Sequence, residues 1–434
     1  MPQATAFPAD VDREYTKTIE FLYSLDRFGI LLGLENISAL LNAIGNPQNK
    51  FKSIHVAGSN GKGSTSSFIS AMVGLAGYST ALYTSPHLND FRERIRICGK
   101  LISKDEMMKA TEKIRPFYNP ERTTFFEYTT AIAFDCIASA KPDLSVIEVG
   151  LGGRLDATNT INPLASIITD ISREHEDYLG TGLKSIAYEK AGIIKSGVPV
   201  ITGASRRQAR EMILEKARLM NAQVFEFGQN FKGVRTSLDT FEYRSKEMSL
   251  SGLKLAMSGA HQIKNATIAI RAVEELLKQD YKISEDAIRE AISTTQFPGR
   301  FELLKRSPDV IIDGAHTPEG MRLLKSALIK LYPSRKPLLL LGILKDKNVE
   351  TLVRTIAPIA KRVVCVAPHS DRSLDPKELC KIVTGLGTPA TSMDSIEGGF
   401  SDLLEQAEMD DVIIAAGSLY MIGPVRRVCG KIDE

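Results

Sequence analysis

The chain has 434 residues, 43% hydrophobic and 25% charged, which excludes wholesale disorder and allows two or three domains with cores of their own. Its 55 basic and 52 acidic residues leave a formal charge of +3 with no long basic run, which argues against nucleic acid or an anionic membrane as a partner. The opening MPQATAFPADVDREYTK mixes prolines and acids where a secretory signal needs a basic patch and an apolar stretch, so a cytoplasmic location is expected. Apolar runs such as PLLLLGIL at 337–344 have the length of a buried strand and fall far short of a membrane span. The five cysteines (Cys98, Cys136, Cys365, Cys380 and Cys429) are odd in number and form no CxxC pair, against both a disulfide framework and a thiolate metal site.

From residue 51 onward, short Val/Ile-rich runs alternate with segments of helical period: FKSIHVAG, GSTSSFISAMVGLAG, STALYTS, YTTAIAFDCIASA and LSVIEVG. This alternation predicts a mostly parallel sheet with helices on both faces. LASIITDIS, SIAYEKAGII and VPVITG extend it to about residue 203, and between 223 and 257 closer segments (QVFEFG, FEYRSKEMSL, LKLAM) suggest an antiparallel patch added to the main sheet. Two helices follow, HQIKNATIAIRAVEELLKQ and ISEDAIREAIST, and TTQFPGR then gathers polar residues, proline and glycine where a unit would end. The boundary falls near Phe297, giving domains 1–297 and 298–434. Beyond it DVIIDGAH, MRLLKSALIKLY, KPLLLLGIL, RVVCVAP, PKELCKIV and DVIIAAGS restart the alternation, so the fold class is α/β: a mostly parallel sheet domain followed by a smaller Rossmann-like domain.

The strongest local signal is HVAGSNGKGSTSSF at 55–68, a strand running through a glycine-rich turn into a helix. Gly58, Gly61 and Gly63 let backbone N–H groups converge on phosphate oxygens, the helix N-terminus adds its positive end, and Lys62 adds a full charge. The loop departs from the ordinary pattern, since Val56 stands five residues before Gly61 and a glycine follows Lys62, displacing the hydroxyl to Ser64. A solvated lysine on a glycine-rich turn is the plain alternative.

LSVIEVGLGGRLDATN at 144–159 carries Glu148 inside an apolar strand, and a buried carboxylate needs magnesium or an ion pair, here with Arg154. Either fits this segment equally well. His175 follows the strand LASIITDIS, and Lys190 lies on the helical SIAYEKAGIIK; alone, each reads as a surface residue.

Taken together, GSNGKGS, YTSPHL, TTFFEYTTAIAF, EVGLGGRLDATN, SIAYEKAGIIK, FPGRFE, DGAHTP and GSLY resemble, in order and spacing, the folylpolyglutamate synthase/dihydrofolate synthase family of the Mur ligase superfamily. The resemblance covers nearly the whole chain and implies two domains closing on ATP. It also implies transfer of the γ-phosphate to the carboxylate of a pterin acid, dihydropteroate or a folate, followed by attack of the L-glutamate amine on the acyl phosphate. By this resemblance Ser59, Asn60, Gly61, Lys62, Gly63 and Ser64 hold the ATP phosphates, and Asn265, Arg300 and Asp313 contact the nucleotide, with His316 assisting. Ser85 and Glu148 bind one magnesium ion, and His175 with Lys190, the latter as a carbamate, binds a second. A carbamate supplies the anionic oxygen that magnesium prefers, whereas a bare Lys190 paired to a carboxylate would speak against it. Thr124, Phe125, Phe126 and Glu127, with Leu155, Asp156 and Ala157, match pterin-contacting segments.

Ser59, Glu174, Arg92 and Thr317 stand where the family commonly has threonine, aspartate, asparagine and asparagine, and the latter two bear on substrate range. Two rivals remain: a cell-wall Mur ligase, whose usual N-terminal nucleotide-sugar domain is missing, and a P-loop switch or motor. Ahead of the phosphate loop, a helical segment containing GILLGLENI resembles the folate enzymes. The family resemblance favours a monomer acting on small molecules.

Overall fold

A computed structural model of the chain describes residues 8–25, 31–237, 239–257 and 259–430. The first seven residues of the opening segment, and Gly29 and Ile30 of GILLGLENI, lie outside the described residues. The helix expected across that motif begins only at Glu35. No helix among the described residues is long and apolar enough to cross a membrane.

The described residues up to Lys254, with Ile263–Thr295, form one compact unit; Leu255–Gln262 and the described residues from Gln296 onward form another. Strands of the first unit are β1 (Ser53–Ala57), β2 (Thr80–Tyr83), β3 (Ile95–Ile97), β4 (Lys100–Leu101), β5 (Leu144–Glu148), β6 (Ala165–Ile168), β7 (Val200–Thr202) and β8 (Val224–Glu226). They form one sheet in the order β4-β3-β2-β5-β1-β6-β7-β8. Neighbours from β2 to β8 pair in parallel, while β3 and β4 pair antiparallel at one edge. All residues of β1 and β5 are buried, as expected of central strands covered by helices on both faces.

Helices α1 (Pro8–Ser24), α2 (Glu35–Ala43), α3 (Lys62–Leu75), α4 (Lys104–Ile114) and α5 (Phe125–Ala140) accompany the first half of this sheet. One core joins α2, α4 and α5 to β2 through Ile37, Leu41, Tyr83, Met107, Tyr128 and Phe134. Helices α6 (Glu176–Leu179), α7 (Leu183–Ala191) and α8 (Arg207–Leu219) follow β6, and Ile186, Ile194, Val200 and Ile213 belong to a second core.

The antiparallel patch is a correction to the sequence reading. Val224–Glu226 extends the main sheet in parallel beside β7, whereas β9 (Phe231–Arg235), β10 (Thr240–Ser245) and β11 (Ser249–Lys254) make a separate three-stranded sheet. Its alternating pattern buries Phe241, Tyr243, Leu250 and Leu253, the periodicity of a sheet with one covered face. Helices α9 (Ala260–Leu277) and α10 (Glu285–Thr294) follow, matching the two predicted there.

In the second unit, β12 (Glu302–Lys305), β13 (Asp309–Asp313), β14 (Leu338–Leu341), β15 (Arg362–Cys365), β16 (Ala390–Ser392) and β17 (Val412–Ala416) form a sheet ordered β12-β13-β17-β14-β15-β16. All pairs are parallel except β12 with β13. Helices α11 (Pro318–Leu331), α12 (Val349–Ile356), α13 (Pro376–Thr384), α14 (Ile396–Gln406) and α15 (Leu419–Val428) complete this unit.

Candidate active site

The strand order sets the location. From β1 the chain winds to β2 and back to β5 on one side, then to β6, β7 and β8 on the other, so β1 lies at the switch point where parallel sheets bind ligands beyond their carboxyl ends. The segments leaving β1, β5 and β6 there are the phosphate loop, the glycine loop from Val149 and the turn through Asp170.

Backbone and hydroxyl bonds hold the phosphate loop in shape. Thr169 donates its hydroxyl to the Asn60 carbonyl (2.7 Å), the Ser59 N–H donates to the Asp170 carbonyl (2.8 Å), and the Ser59 hydroxyl donates to the Ser172 carbonyl (3.1 Å). Gly61 caps α3 with φ of +85°, and a Cβ there would sit 2.3 Å from Oδ1 of Asn265. Asn265 is thus pressed against the loop. Lys62 is the first residue of α3, and its ammonium donates to the Gly58 carbonyl at 3.0 Å.

Lys190 converges on the same carbonyl, also at 3.0 Å, and ion-pairs with Glu174 at 2.7 Å. Lys62, Glu174, His175 and Lys190 line one small cavity with Gly58 and residues Val149 to Gly152. Burial opposes ionisation of Glu174, but the Lys190 and Lys62 ammonium groups outweigh it and hold the carboxyl down at about 2. Burial pushes the Lys190 ammonium below its ordinary range, Glu174 pulls it back, and Lys62 pushes it down again. A carbamate on Lys190 would have to displace this pairing with Glu174. Glu174 entered the sequence reading only as a departure from a family pattern; a conserved-charge replacement beside His175 was the available signal for its role.

Glu148 ends β5, is only 4% exposed, and accepts the Ser85 N–H at 3.3 Å. The alternative pairing with Arg154 is overturned, because the Arg154 guanidinium binds Glu189 of α7 at 2.9 Å. A carboxylate and a hydroxyl offer hard oxygens that suit one magnesium ion. Lys190 as an ammonium suits none, and no cluster of three His, Cys, Asp or Glu side chains among the described residues forms a ready metal site. His175 adopts a left-handed conformation at the start of α6, with φ of +47°.

The glycine loop and the EKAGI turn are stitched together. Arg154 N–H donates to the Glu189 carbonyl (2.7 Å), and Asn159 Nδ2 donates to the carbonyls of Arg154 (2.9 Å) and Gly192 (3.2 Å). A Cβ on Gly192 would meet the Arg154 Cα at 2.4 Å, so this contact requires glycine. Of the segments matched to pterin contacts, Thr124 and Glu127 form a capping box at the start of α5, with Thr124 N–H and hydroxyl donating to Glu127 at 2.8 and 2.9 Å. Phe125 stacks on Tyr23 (centroids 6.1 Å apart), with the Arg94 guanidinium 5.5 Å from its ring, and Phe126 closes on Gly150. Leu155 is half-buried, and Asp156 and Ala157 are buried.

In the second unit Arg300, Asp313 and His316 come together. Asp313 accepts the N–H groups of Phe301 and Ala315, both at 2.8 Å, and burial raises its pKa against the pull of Arg300. His316 Nδ1 lies 2.7 Å from the Gly314 carbonyl, which makes Nδ1 the protonated nitrogen. Two departures from the family pattern have structural explanations. Arg92 pairs with Asp90 at 2.8 Å beside Tyr15, and Thr317 caps α11 by accepting the Gly320 N–H at 3.1 Å, a task asparagine also performs.

Comparison with known proteins is consistent across the whole chain. The Mur ligase middle domain matches residues 56–273, and the Mur ligase glutamate ligase domain matches 299–419. The dihydrofolate synthase/folylpolyglutamate synthase of Bacillus subtilis is 30% identical over 439 residues, covering 95% of this chain and 98% of its own. The chain belongs to the folylpolyglutamate synthase/dihydrofolate synthase family. Escherichia coli FolC in complex with DHPP and ADP superposes with a TM-score of 0.87 at 28% identity, covering 99% of each chain. A bifunctional folylpolyglutamate synthase/dihydrofolate synthase with Mn, AMPPNP and L-glutamate bound gives 0.85 at 27%, covering 95% of this chain and 98% of that one.

Proposed function

We propose that this member of the folylpolyglutamate synthase/dihydrofolate synthase family uses ATP to join L-glutamate to a pterin acid, dihydropteroate or a folylpoly-γ-glutamate, through an acyl phosphate. The observation that carries the reading is the convergence of Lys62, Glu174, His175 and Lys190 on one cavity at the switch point of the sheet. The relatives with ADP, AMPPNP, DHPP and L-glutamate bound lend it chemistry.

The acid's carboxylate oxygen attacks the γ-phosphorus, ADP leaves, and the glutamate nitrogen then attacks the acyl carbon. The C–O bond to phosphate breaks as the C–N bond forms, and the amine gives up its proton. Residues Ser59 to Ser64, with Lys62, cradle the phosphates. Asn265 and, from the C-terminal domain, Arg300, Asp313 and His316 serve the nucleotide. Leu155 to Ala157 and the aromatic turn Thr124 to Glu127 receive the pterin acid. Domain 1–297 carries ATP binding and domain 298–434 the glutamate-ligase part.

Ser85 and Glu148 would hold one magnesium ion, which when bound offsets the charge repulsion between the acid and the γ-phosphate. A second ion at His175 requires Lys190 to exchange its Glu174 pairing for a carbamate. Burial favours the neutral amine that reacts with carbon dioxide, and a mass increase on Lys190 under bicarbonate tests this step. The enzyme is taken to act in the cytoplasm as a monomer, with small molecules as its partners.

The test is ADP release with magnesium and L-glutamate, comparing dihydropteroate, tetrahydrofolate and no acid. Release that needs both glutamate and a pterin acid supports the ligase and names its substrate. Release independent of both would replace it with an ATP-hydrolysing switch.

A further inference from the structure

His55 lies on β1, three residues before the phosphate loop begins at Gly58, and is fully buried. Its Nε2 is 2.9 Å from the Thr158 hydroxyl, which in turn is 2.5 Å from Oδ1 of Asp156. The Thr158 N–H also donates to Oδ1 at 3.0 Å, and Oδ2 accepts the Leu151 N–H at 2.8 Å. Leu151 lines the cavity that holds Lys62 and Lys190. Nothing in the reaction described above uses His55.

The chain of bonds has a direction. The Thr158 hydroxyl donates its one proton to Asp156 Oδ1; burial raises the Asp156 pKa, and this hydroxyl with the Leu151, Thr158 and Gly150 N–H groups pulls it back by bonding the carboxylate. Thr158 then has only lone pairs to offer His55, and Nε2 must be the donor. Nδ1 is buried with no hydrogen-bond partner among the described residues. That is tolerable for a bare ring nitrogen and costly for an N–H, so the same tautomer follows independently. Burial, reinforced by Lys195, lowers the ring pKa to about 3, so His55 stays neutral across the working range and does no acid–base chemistry.

We propose that His55 is a positioning residue for the acid substrate: through Thr158 it fixes Asp156, and with it the Leu155 to Ala157 segment, relative to the phosphate loop. Asp156 starts the short turn Ala157–Thr160 and also pins Leu151, so one carboxylate sets both ends of the glycine loop. Within this series of bonds His55 supplies the link from β1, the strand that leads into the loop carrying Lys62. The inference rests on the proposed pterin contact at Leu155 to Ala157.

The experiment compares His55→Leu, His55→Gln and Thr158→Val in the full chain. His55→Leu removes the donor, and His55→Gln offers an amide N–H in its place. Expected for His55→Leu is a KM for the pterin acid raised about tenfold, the size of one lost buried hydrogen bond, with the ATP KM and kcat within about twofold. His55→Gln should recover most of the loss. Thr158→Val should match His55→Leu, and the double variant should be no worse than either, since all act through Asp156. Should His55→Leu fail to fold, Thr158→Val carries the same prediction. Equal changes in both KM values, or a Gln variant as impaired as Leu, would overturn the proposal. Long-range proton–nitrogen NMR gives a readout independent of turnover. A neutral ring protonated at Nε2 and a protected Leu151 amide support the relay, and protonation at Nδ1 refutes it. A wild-type chain without pterin-dependent activity would sink the proposed substrate, while the NMR result would still decide the relay.

Discussion

The two groups of candidate residues are built in opposite ways. In the first unit Lys62, the adjacent Glu174 and His175, and Lys190 come from three separate segments, and the partners of the two lysines include a shared carbonyl and a carboxylate. In the second, Arg300, Asp313 and His316 lie within 17 residues, and Asp313 and His316 bond to neighbouring backbone. A site made of distant charges couples its members, so removing one changes the others. A site made of local backbone bonds confines the damage.

The largest expected effect is on chemistry. Lys62→Met should lower kcat/KM by about 10²–10³, the range for losing one preorganised charge contact to a reacting group, with little change in urea midpoint. Steady-state assays that find more than half the wild-type rate would remove Lys62 from the site.

Next comes coupling in the first unit. Glu174→Ala leaves the Lys190 ammonium buried without its carboxylate and should cost about 3–5 kcal/mol in urea unfolding, which Glu174→Ala with Lys190→Met largely restores. An uncoupled pair of effects would break the comparison drawn above. The pH dependence has a definite sign. Because the folded-state pKa of Glu174 lies at about 2, below its ordinary 4.5, its contribution is complete above that ordinary value and is lost as pH falls towards 2. Acid titration of wild type against the double variant isolates it.

Asp313→Ala should act locally. It leaves the Phe301 and Ala315 N–H groups without their acceptor, a loss of about 1–3 kcal/mol, together with a raised KM for ATP. Hydrogen exchange should quicken at those amides and leave the Glu174–Lys190 region unchanged. The smallest effect belongs to Thr317. Thr317→Ala should cost about 1 kcal/mol through the lost helix cap, and Thr317→Asn only a few tenths, as differential thermal unfolding can resolve.

Much of this was legible before any coordinates. Strand-sized apolar runs such as LSVIEVG and DVIIDGAH state their burial on their own, and the strand–glycine–lysine–helix order of HVAGSNGKGSTSSF states what its loop can bind, because both depend on neighbours in sequence. The antiparallel segments at 231–254 were visible by their alternation, but periodicity names a covered face without naming the sheet a strand joins, so their separation from β8 was not.

Side-chain partners were the other gap. Arg154 was read against Glu148, six positions away, yet it binds Glu189 across 35 positions. His55 carried no motif weight, and Thr158 lies 103 positions further on. The sequence by itself determined the elements, their class and the phosphate loop, since hydrophobic period and glycine spacing are local properties. Only the tertiary structure decided which charges meet, because pairing follows from strand order and loop closure, which bring residues from distant segments to the same buried volume, where each ion needs a partner.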